Sequence, residues 1–203
     1  MDRLEPAGMV QRSFSHAIAE GDGISVIAAV DDPESARAAE EQRAEAIVVR
    51  ASPARLRDAT SLPILWRADV PPDEASTVAD AFVIVFDQFD NDDGRLEELH
   101  RRAVALGLDC AVEVRNEDDL EQALDRVDPE IFLLSPAEAD DDETPLETVL
   151  DLLAAVPAGK LAIADLPLTT PSEVLELERA GCDAVIVDGP HIGHLAGGPP
   201  PVV

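Results

Sequence analysis

Eight short apolar runs, rich in valine and isoleucine, recur along this chain of 203 residues and constrain its fold more than any other feature. Each run is nearly continuous in hydrophobicity, which is typical of parallel strands that are buried on both faces. The runs lie at residues 24–30, 46–51, 63–68, 81–87, 109–115, 131–135, 161–165 and 184–188. We therefore expect a parallel sheet that is covered on both sides.

Amphipathic segments separate these runs, and several begin with helix-start signals. Asn116 precedes an acidic turn, and Thr170 stands before a proline, which is favoured at the first helical position. The segments are 33–43, 54–59, 73–78, 94–106, 117–126, 146–155 and 171–180. Eight strands joined by seven helices predict an α/β protein with a closed (β/α)8 barrel. The alternative is an open doubly wound sheet, which usually has fewer strands.

The two ends of the chain differ from the repeating middle. We expect an N-terminal helical extension at 1–23, with a helix at 10–19, the barrel at 24–195 and a proline-rich tail at 196–203. The tail cannot form a full eighth helix, because proline disrupts helices. The outer faces of strands eight and one would then lack their usual cover. The N-terminal helix would fill that gap or cover one mouth of the barrel, and a homodimer or a pathway enzyme is the alternative partner for the gap.

Acidic residues outnumber basic ones by 43 to 15, and the formal net charge is -28. Lys160 is the single lysine. Self-repulsion of this size is largely screened in molar salt, where the Debye length is about 3 Å. The composition predicts a protein of a salt-accumulating halophile, an archaeon. Disorder is disfavoured by the 46% hydrophobic content, and nucleic-acid binding by the lack of a basic surface.

The chain has no apolar run that is long enough to cross a bilayer and no apolar core of a signal peptide near residue 1. Its two cysteines, Cys110 and Cys182, lie at predicted strand starts and are expected to be small buried residues rather than a disulfide framework. We therefore expect a cytoplasmic protein with no membrane partner.

Several stretches resemble the indole-3-glycerol phosphate synthase family, whose members are barrel enzymes of tryptophan biosynthesis. The most specific is AVALGLDCAVEVRNEDDLEQAL at 103–124, which is similar to the fourth helix, fifth strand and fifth helix of the family. RSFSHAIAEGDGISVIAAV, SLPILWRADV, TPLETVLDLLAAVP and TTPSEVLELERAGCDAVIVDG resemble other parts in the same order. The resemblance spans nearly the whole chain and implies the barrel fold.

The resemblance also assigns the catalytic positions, and most of them are changed. Glu113 matches the catalytic glutamate of strand five, Arg67 stands for the general-acid lysine of strand three, and Asp165 stands for a glutamate after strand seven. The glutamate and lysine at the end of strand one correspond to Ala29 and Asp31. Arginine holds its proton too tightly to act as a general acid.

Other family positions are also altered. The paired asparagines of strand six correspond to Leu134 and Ser135, and the glycine-rich loop after strand two is replaced by Ser52-Pro53-Ala54. The phosphate site is degenerate at Leu166, Pro167, Asp188 and Pro190. Proline has no N–H to donate, and Asp188 would repel a phosphate. Lys160 lies before strand seven, at the end of the barrel opposite the catalytic mouth, and is expected to be a solvated surface cation.

No cofactor is predicted, and metal ligation has only weak candidates. Asp31 and Asp188 follow strand ends that meet at one mouth, and His191 and His194 follow strand eight. Oxygen ligands suit Mg²⁺, Ca²⁺ or Mn²⁺, and two histidines with an acid suit zinc. His16 and His100 lie in helices and are expected on their partly exposed faces.

Three functional hypotheses follow. The first is a non-catalytic binding or regulatory member of the family that holds a small-molecule ligand at the barrel mouth. The second is a working, diverged carboxy-lyase that uses Glu113 as acid or base and Arg67 as an anion clamp. The third is a structural subunit with an apolar patch near strand eight. An open pocket that contains both Glu113 and Arg67 would favour the second hypothesis.

Overall fold

Eight parallel strands close into a barrel in sequence order. The computed structural model describes residues 13–20, 23–67, 71–85, 94–136, 144–188 and 192–195. The strands are β1 Ser25–Ala29, β2 Ala46–Val49, β3 Ile64–Trp66, β4 Ala81–Val85, β5 Asp109–Val114, β6 Ile131–Leu134, β7 Leu161–Ala164 and β8 Ala184–Asp188. Each of the eight apolar runs contains one strand. The barrel prediction is confirmed, and the open sheet is excluded because β1 pairs with β8.

The first helix lies at one end of the barrel, and the other helices pack on its outer face. The helices are α1 Ser13–Ala19, α2 Pro33–Glu41, α3 Pro72–Ala75, α4 Arg95–Ala105, α5 Glu117–Arg126, α6 Pro145–Ala155, α7 Pro171–Ala180 and α8 Ile192–Leu195. None of these helices combines the length and the apolar character that crossing a membrane requires. Both cysteines are buried, as expected.

Two predicted helices are shorter in the structure. The segment 54–59 contains only one 3₁₀ turn, Pro53–Arg55, and the segment 73–78 is reduced to α3. After α3, the hydroxyls of Ser76 and Thr77 donate to the carbonyls of Asp73 and Glu74. Hydroxyls that bond to nearby backbone carbonyls compete with helix propagation, which explains the early end.

Side-chain caps fix where α5, α6 and α7 begin. Thr170 accepts from the N–H of Glu173, whose carboxylate bonds back to Thr170, and Thr144 forms the same capping box with Glu147. The Asn116 side chain accepts from the N–H of Asp119 at 2.8 Å. The predicted starts of these helices are therefore confirmed to within about a residue.

Three acidic residues lock neighbouring strands at the N-terminal end of the barrel. Glu45, Asp80 and Asp183 immediately precede β2, β4 and β8. Each accepts the N–H of a residue of the preceding strand at 2.8 Å, and the donors are Val26, Ile64 and Ala162. Part of the acidic composition is therefore structural rather than a coating of the surface.

Helix α1 closes the N-terminal mouth of the barrel. Its Phe14 and Ile18 are buried among inward-facing side chains such as Ile27. The N–H of Ser15 donates to the Asp109 carboxylate at 2.7 Å, and the hydroxyl of Ser25 donates to the carbonyl of Ile18 at 3.1 Å. The N-terminal helix was expected either in the gap beside strands eight and one or over one mouth of the barrel, and in the structure it covers the mouth.

The expected exposure of strands eight and one was wrong for the described residues. Helix α8 has only four residues, but its Ile192 and Leu195 are buried. They belong to the same core as Val185 and Val187, which are also buried. The truncated eighth helix therefore still adds two large apolar side chains to the outer layer.

Lys160 lies at the predicted end of the barrel, immediately before β7, but it is not a solvated cation. Its ammonium lies 2.6 Å from an Asp128 carboxylate oxygen and donates to the Asp128 carbonyl at 3.2 Å. The side chain is only 18% exposed. Asp128 has a φ of 45°, a left-handed conformation that is unfavourable for residues other than glycine. The lysine therefore braces a strained turn.

We expect Phe14→Ala to lower the free energy of unfolding by about 3–5 kcal/mol, because a fully buried aromatic side chain would leave a cavity at the sealed mouth. Denaturation in molar KCl, followed through Trp66, the one tryptophan in a chain without tyrosine, measures the change. The control is His16→Ala on the same helix, whose side chain is 51% exposed and should shift stability by no more than about 0.5 kcal/mol. Equal stability of the two variants would contradict the sealing role.

Acid should destabilise the protein below about pH 4.5 in molar KCl. Five carboxylates have a pKa below the ordinary value because of hydrogen bonds that favour the ionised form, from backbone N–H groups for Asp32, Glu147 and Glu173 and from side chains for Glu40 and Glu97. A lowered pKa in the folded state gives stability that is present above the unfolded pKa and lost as pH falls through the folded one.

Thermal unfolding between pH 3 and pH 7 tests this expectation. Asp183 works in the opposite direction, because desolvation raises its pKa, but it is one group against five. Glu173→Gln should weaken the acid-dependent loss, while a substitution at Asp31, for which the structure shows no hydrogen bond to a described residue, should leave it unchanged. A midpoint temperature of unfolding that rises as the pH is lowered in molar KCl would contradict the prediction.

Candidate functional site

The carboxyl ends of the strands bring three of the predicted site residues together. Arg67 follows β3 directly, Glu113 is the penultimate residue of β5, and Asp165 follows β7 directly. In a parallel barrel these ends open on one mouth, which is where barrel enzymes place their active sites. Ser135, which follows β6, joins the same group.

Arg67 is the centre of this cluster. Its Nε and Nη2 donate to the two oxygens of Glu113 at 3.0 and 2.8 Å, which is the two-point geometry of a guanidinium on a carboxylate. Its Nη1 donates to Asp165, and Nη2 also donates to the Ser135 hydroxyl at 3.2 Å. All three guanidinium nitrogens are therefore engaged by protein groups.

Most of this ion cluster is shielded from solvent. The Glu113 side chain is 1% exposed and that of Arg67 is 18% exposed. A second guanidinium group, that of Arg115, places its Nη2 3.5 Å from Oε1 of Glu113. Burial alone would lower the pKa of Arg67, but the hydrogen bonds to Glu113 and the charges of Asp165 and Glu113 outweigh it and raise that pKa. Arg67 is therefore a fixed cation and not a proton donor.

The region of the degenerate phosphate positions offers few donors. The Glu173 carboxylate accepts the N–H groups of Thr169 and Thr170 at 2.9 and 2.8 Å, and it also accepts from both hydroxyls. These donors, led by the Thr169 N–H, lower the pKa of Glu173. The N–H groups before α7 are thus already bonded to the Glu173 carboxylate. Pro167 has no N–H that could bind a phosphate. Pro190 lies outside the described residues.

A pocket of about 510 Å³ opens beside the ion cluster. Residues 165–169 after β7, residues 186–188 of β8 and Arg50 line it, whereas Arg67 and Glu113 do not. Arg50 directly follows β2 and is exposed. Arg50 was not predicted as a site residue, although a cation that follows an apolar run is the available sequence signal for a side chain at the mouth.

The metal candidates are only partly described. Asp31 is exposed two residues beyond β1, and Asp188 is exposed at the end of β8. Within the described ranges, no three histidine, cysteine or acidic side chains are grouped closely enough to hold a metal. His191 and the side chain of His194 lie outside what the structure describes. His16 is exposed on α1 and His100 is partly buried on α4, in agreement with their prediction as helix-face residues.

Solved structures of similar shape support the barrel but not an activity. An N-acetylmannosamine-6-phosphate 2-epimerase from Clostridium perfringens matches with a TM-score of 0.68 over 93% of each chain, at 14% identity. A mutant tryptophan synthase alpha-subunit from Pyrococcus furiosus matches with a TM-score of 0.62, at 15% identity, over 83% of this chain and 88% of that one. Identities this low establish the fold alone.

Sequence comparison identifies the family. The family model for indole-3-glycerol phosphate synthase matches residues 73–192. The indole-3-glycerol phosphate synthase of Geobacillus sp. (strain WCH70) is 33% identical over 92 residues, 45% of this chain and 36% of the relative. That of Salinibacter ruber is 31% identical over 114 residues, 56% of this chain and 41% of the relative. The matched parts thus cover about half or less of these curated relatives. The chain belongs to the indole-3-glycerol phosphate synthase family.

Proposed function

We propose that this protein is a non-catalytic member of its family whose barrel mouth serves as a binding site for a small molecule. One observation carries the proposal, namely the two-point ion pair of Arg67 with Glu113. The residues at the two key catalytic positions neutralise each other and are withdrawn from the pocket.

The chemistry of the family explains why this pairing matters. The reaction that the resemblance implies closes an indole ring with loss of carbon dioxide and water, and it requires proton donation to the substrate. A general acid must release its proton near the working pH. The raised pKa of Arg67 moves it further from that range, and both oxygens of Glu113 are occupied as acceptors. Lys160 lies at the opposite end of the barrel, paired with Asp128.

The phosphate end of the pocket supports the same proposal. A barrel holds a phosphate with free backbone N–H groups in the loops after strands seven and eight. Here Glu173 accepts the N–H groups at the start of α7, and Asp188 adds a carboxylate. A phosphorylated substrate would meet carboxylates at the place where it needs donors.

The diverged carboxy-lyase is less well supported. It needs Arg67 to clamp a substrate anion, but each guanidinium nitrogen already bonds to Glu113, Asp165 or Ser135. The structural-subunit hypothesis needs an apolar patch at strand eight, where the described side chains Val185 and Val187 are buried. A contact with a second copy or with a pathway enzyme near α8, and the halophilic origin, stay predictions of the sequence.

Absence of turnover is the first expected outcome. The full chain, assayed in molar KCl with the anilino-deoxyribulose phosphate substrate of the family, should turn over at least about 1000-fold more slowly than the usual enzymatic rate of about 1–10 s⁻¹. The Salinibacter ruber relative, in the same buffer, is the positive control. A rate that approaches that of the control would reject the proposal.

Arg67→Met should destabilise the fold by about 3 kcal/mol, because Glu113 would be left buried without its main partner. The double variant Arg67→Met with Glu113→Leu should recover much of that loss, since an apolar pair can replace a buried ion pair. Denaturation followed by Trp66 fluorescence measures both. Arg115→Met, which removes the contact with Glu113 at 3.5 Å and leaves the Arg67 pair in place, is the matched control. A harmless Arg67→Met substitution would show that the cluster is not structural.

A further inference from the structure

We propose that the pocket beside the ion cluster binds a small zwitterion with an apolar body, of the α-amino acid class. The carboxylate of this ligand pairs with Arg50 and its ammonium with Asp188. This inference deepens the proposed binding function and rests on it. The family resemblance assigns no role to Arg50, whereas Asp188 stands at a degenerate phosphate position.

Two opposite charges in the pocket have no partner among the residues that the structure describes. Arg50 and Asp188 both line the cavity, and neither forms a hydrogen bond or an ion pair with a described residue. The third charged residue of the lining, Asp165, is already paired with Arg67. The charges that remain for a ligand are therefore one guanidinium and one carboxylate.

The strand register places these two charges on either side of one strand end. Ala29 of β1 pairs with Val48 of β2 on one side and with Asp188 of β8 on the other. Arg50 follows β2 by one residue, so the two backbones are separated by about two strand spacings, roughly 10 Å. The long arginine side chain covers part of that distance, and a compact ligand with both charges fits between the two groups. Ala29 itself is too small to obstruct it.

The charge pattern discriminates among ligand classes. A phosphate or simple carboxylate would pair with Arg50 but would face Asp188, and it would find the α7 donors already bonded to Glu173. An amine without a carboxylate would pair with Asp188 but would leave Arg50 unpaired. A zwitterion satisfies both groups, and its zero net charge avoids repulsion by a protein of net charge -28.

The rest of the lining supplies apolar surface. Leu166, Leu168 and Ile186 line the cavity together with Val187. Its volume of about 510 Å³ falls within the range of small-molecule sites, roughly 300–1,000 Å³. An aliphatic amino acid combines such an apolar body with the two charges. The two charged groups are exposed and screened by salt, so the expected dissociation constant is about 0.1–1 mM.

Three probes of similar shape test the charge requirement in molar KCl by isothermal titration calorimetry. They are L-leucine, L-leucine amide, which lacks the carboxylate, and 4-methylpentanoate, which lacks the ammonium. L-Leucine should bind saturably, and the other two should bind at least about 10-fold more weakly, which corresponds to 1.4 kcal/mol. Equal binding of the three probes, or no saturable binding of L-leucine up to about 20 mM, would overturn the inference.

Variants assign each charge. Arg50→Gln should weaken the binding of L-leucine at least about 10-fold and leave the binding of L-leucine amide nearly unchanged. Asp188→Asn should weaken the binding of L-leucine to the same extent and leave the binding of 4-methylpentanoate nearly unchanged. Asp31→Asn, an exposed acid after β1 that does not line the pocket, is the control and should have no effect. Unaltered L-leucine binding in both pocket variants would contradict the assignment.

Inorganic phosphate is the last probe, and tighter binding of phosphate than of L-leucine at the same pocket would also overturn the inference. The failure modes are separable from those of the proposed function. Loss of the L-leucine result removes only the ligand class, whereas turnover of the family substrate removes the non-catalytic proposal.

Discussion

A closed parallel barrel has to bury both faces of every strand and fill its interior, and this requirement organises the whole molecule. The outer faces are covered by helices, including an α8 of only four residues that contributes Ile192 and Leu195. The N-terminal end is closed by Phe14 and Ile18 of α1. Towards the C-terminal end, the inner space is occupied by the ion cluster of Arg67, Glu113 and Asp165. The ion cluster thus fills the interior of the barrel beside the pocket.

The acidity of the chain has more than one physical role. Some carboxylates accept backbone N–H groups at strand and helix starts, as Glu45 and Glu173 do, and these acids contribute to the fold at any salt concentration. Others are exposed, and their repulsion depends on screening. Net charge alone therefore does not measure how strongly the protein depends on salt, because part of that charge is bonded within the fold.

The sequence predicted the strands and the longer helices well, because continuous apolar runs and capping residues such as Thr170 are local signals. It predicted less well where stability depends on distant partners. The early end of α3, the cover that α8 provides and the pairing of Lys160 with Asp128 all involve contacts that local periodicity does not contain. The resemblance named Arg67 and Glu113, but their two-point pairing, 46 residues apart in the chain, depends on barrel geometry. Arg50 belongs to no sequence motif, and only its position in the lining of the pocket marks it as a site residue.

The acids that precede β2, β4 and β8 have a consequence for how the barrel closes. A barrel closes only when the staggers between neighbouring strands add up to a fixed shear. Glu45, Asp80 and Asp183 each tie one strand to its predecessor, so a slip of one residue in these pairs would break a carboxylate bond as well as reverse the side chains. Three of the eight staggers are thereby set by contacts between consecutive strands, independently of the β8–β1 pair that closes the ring.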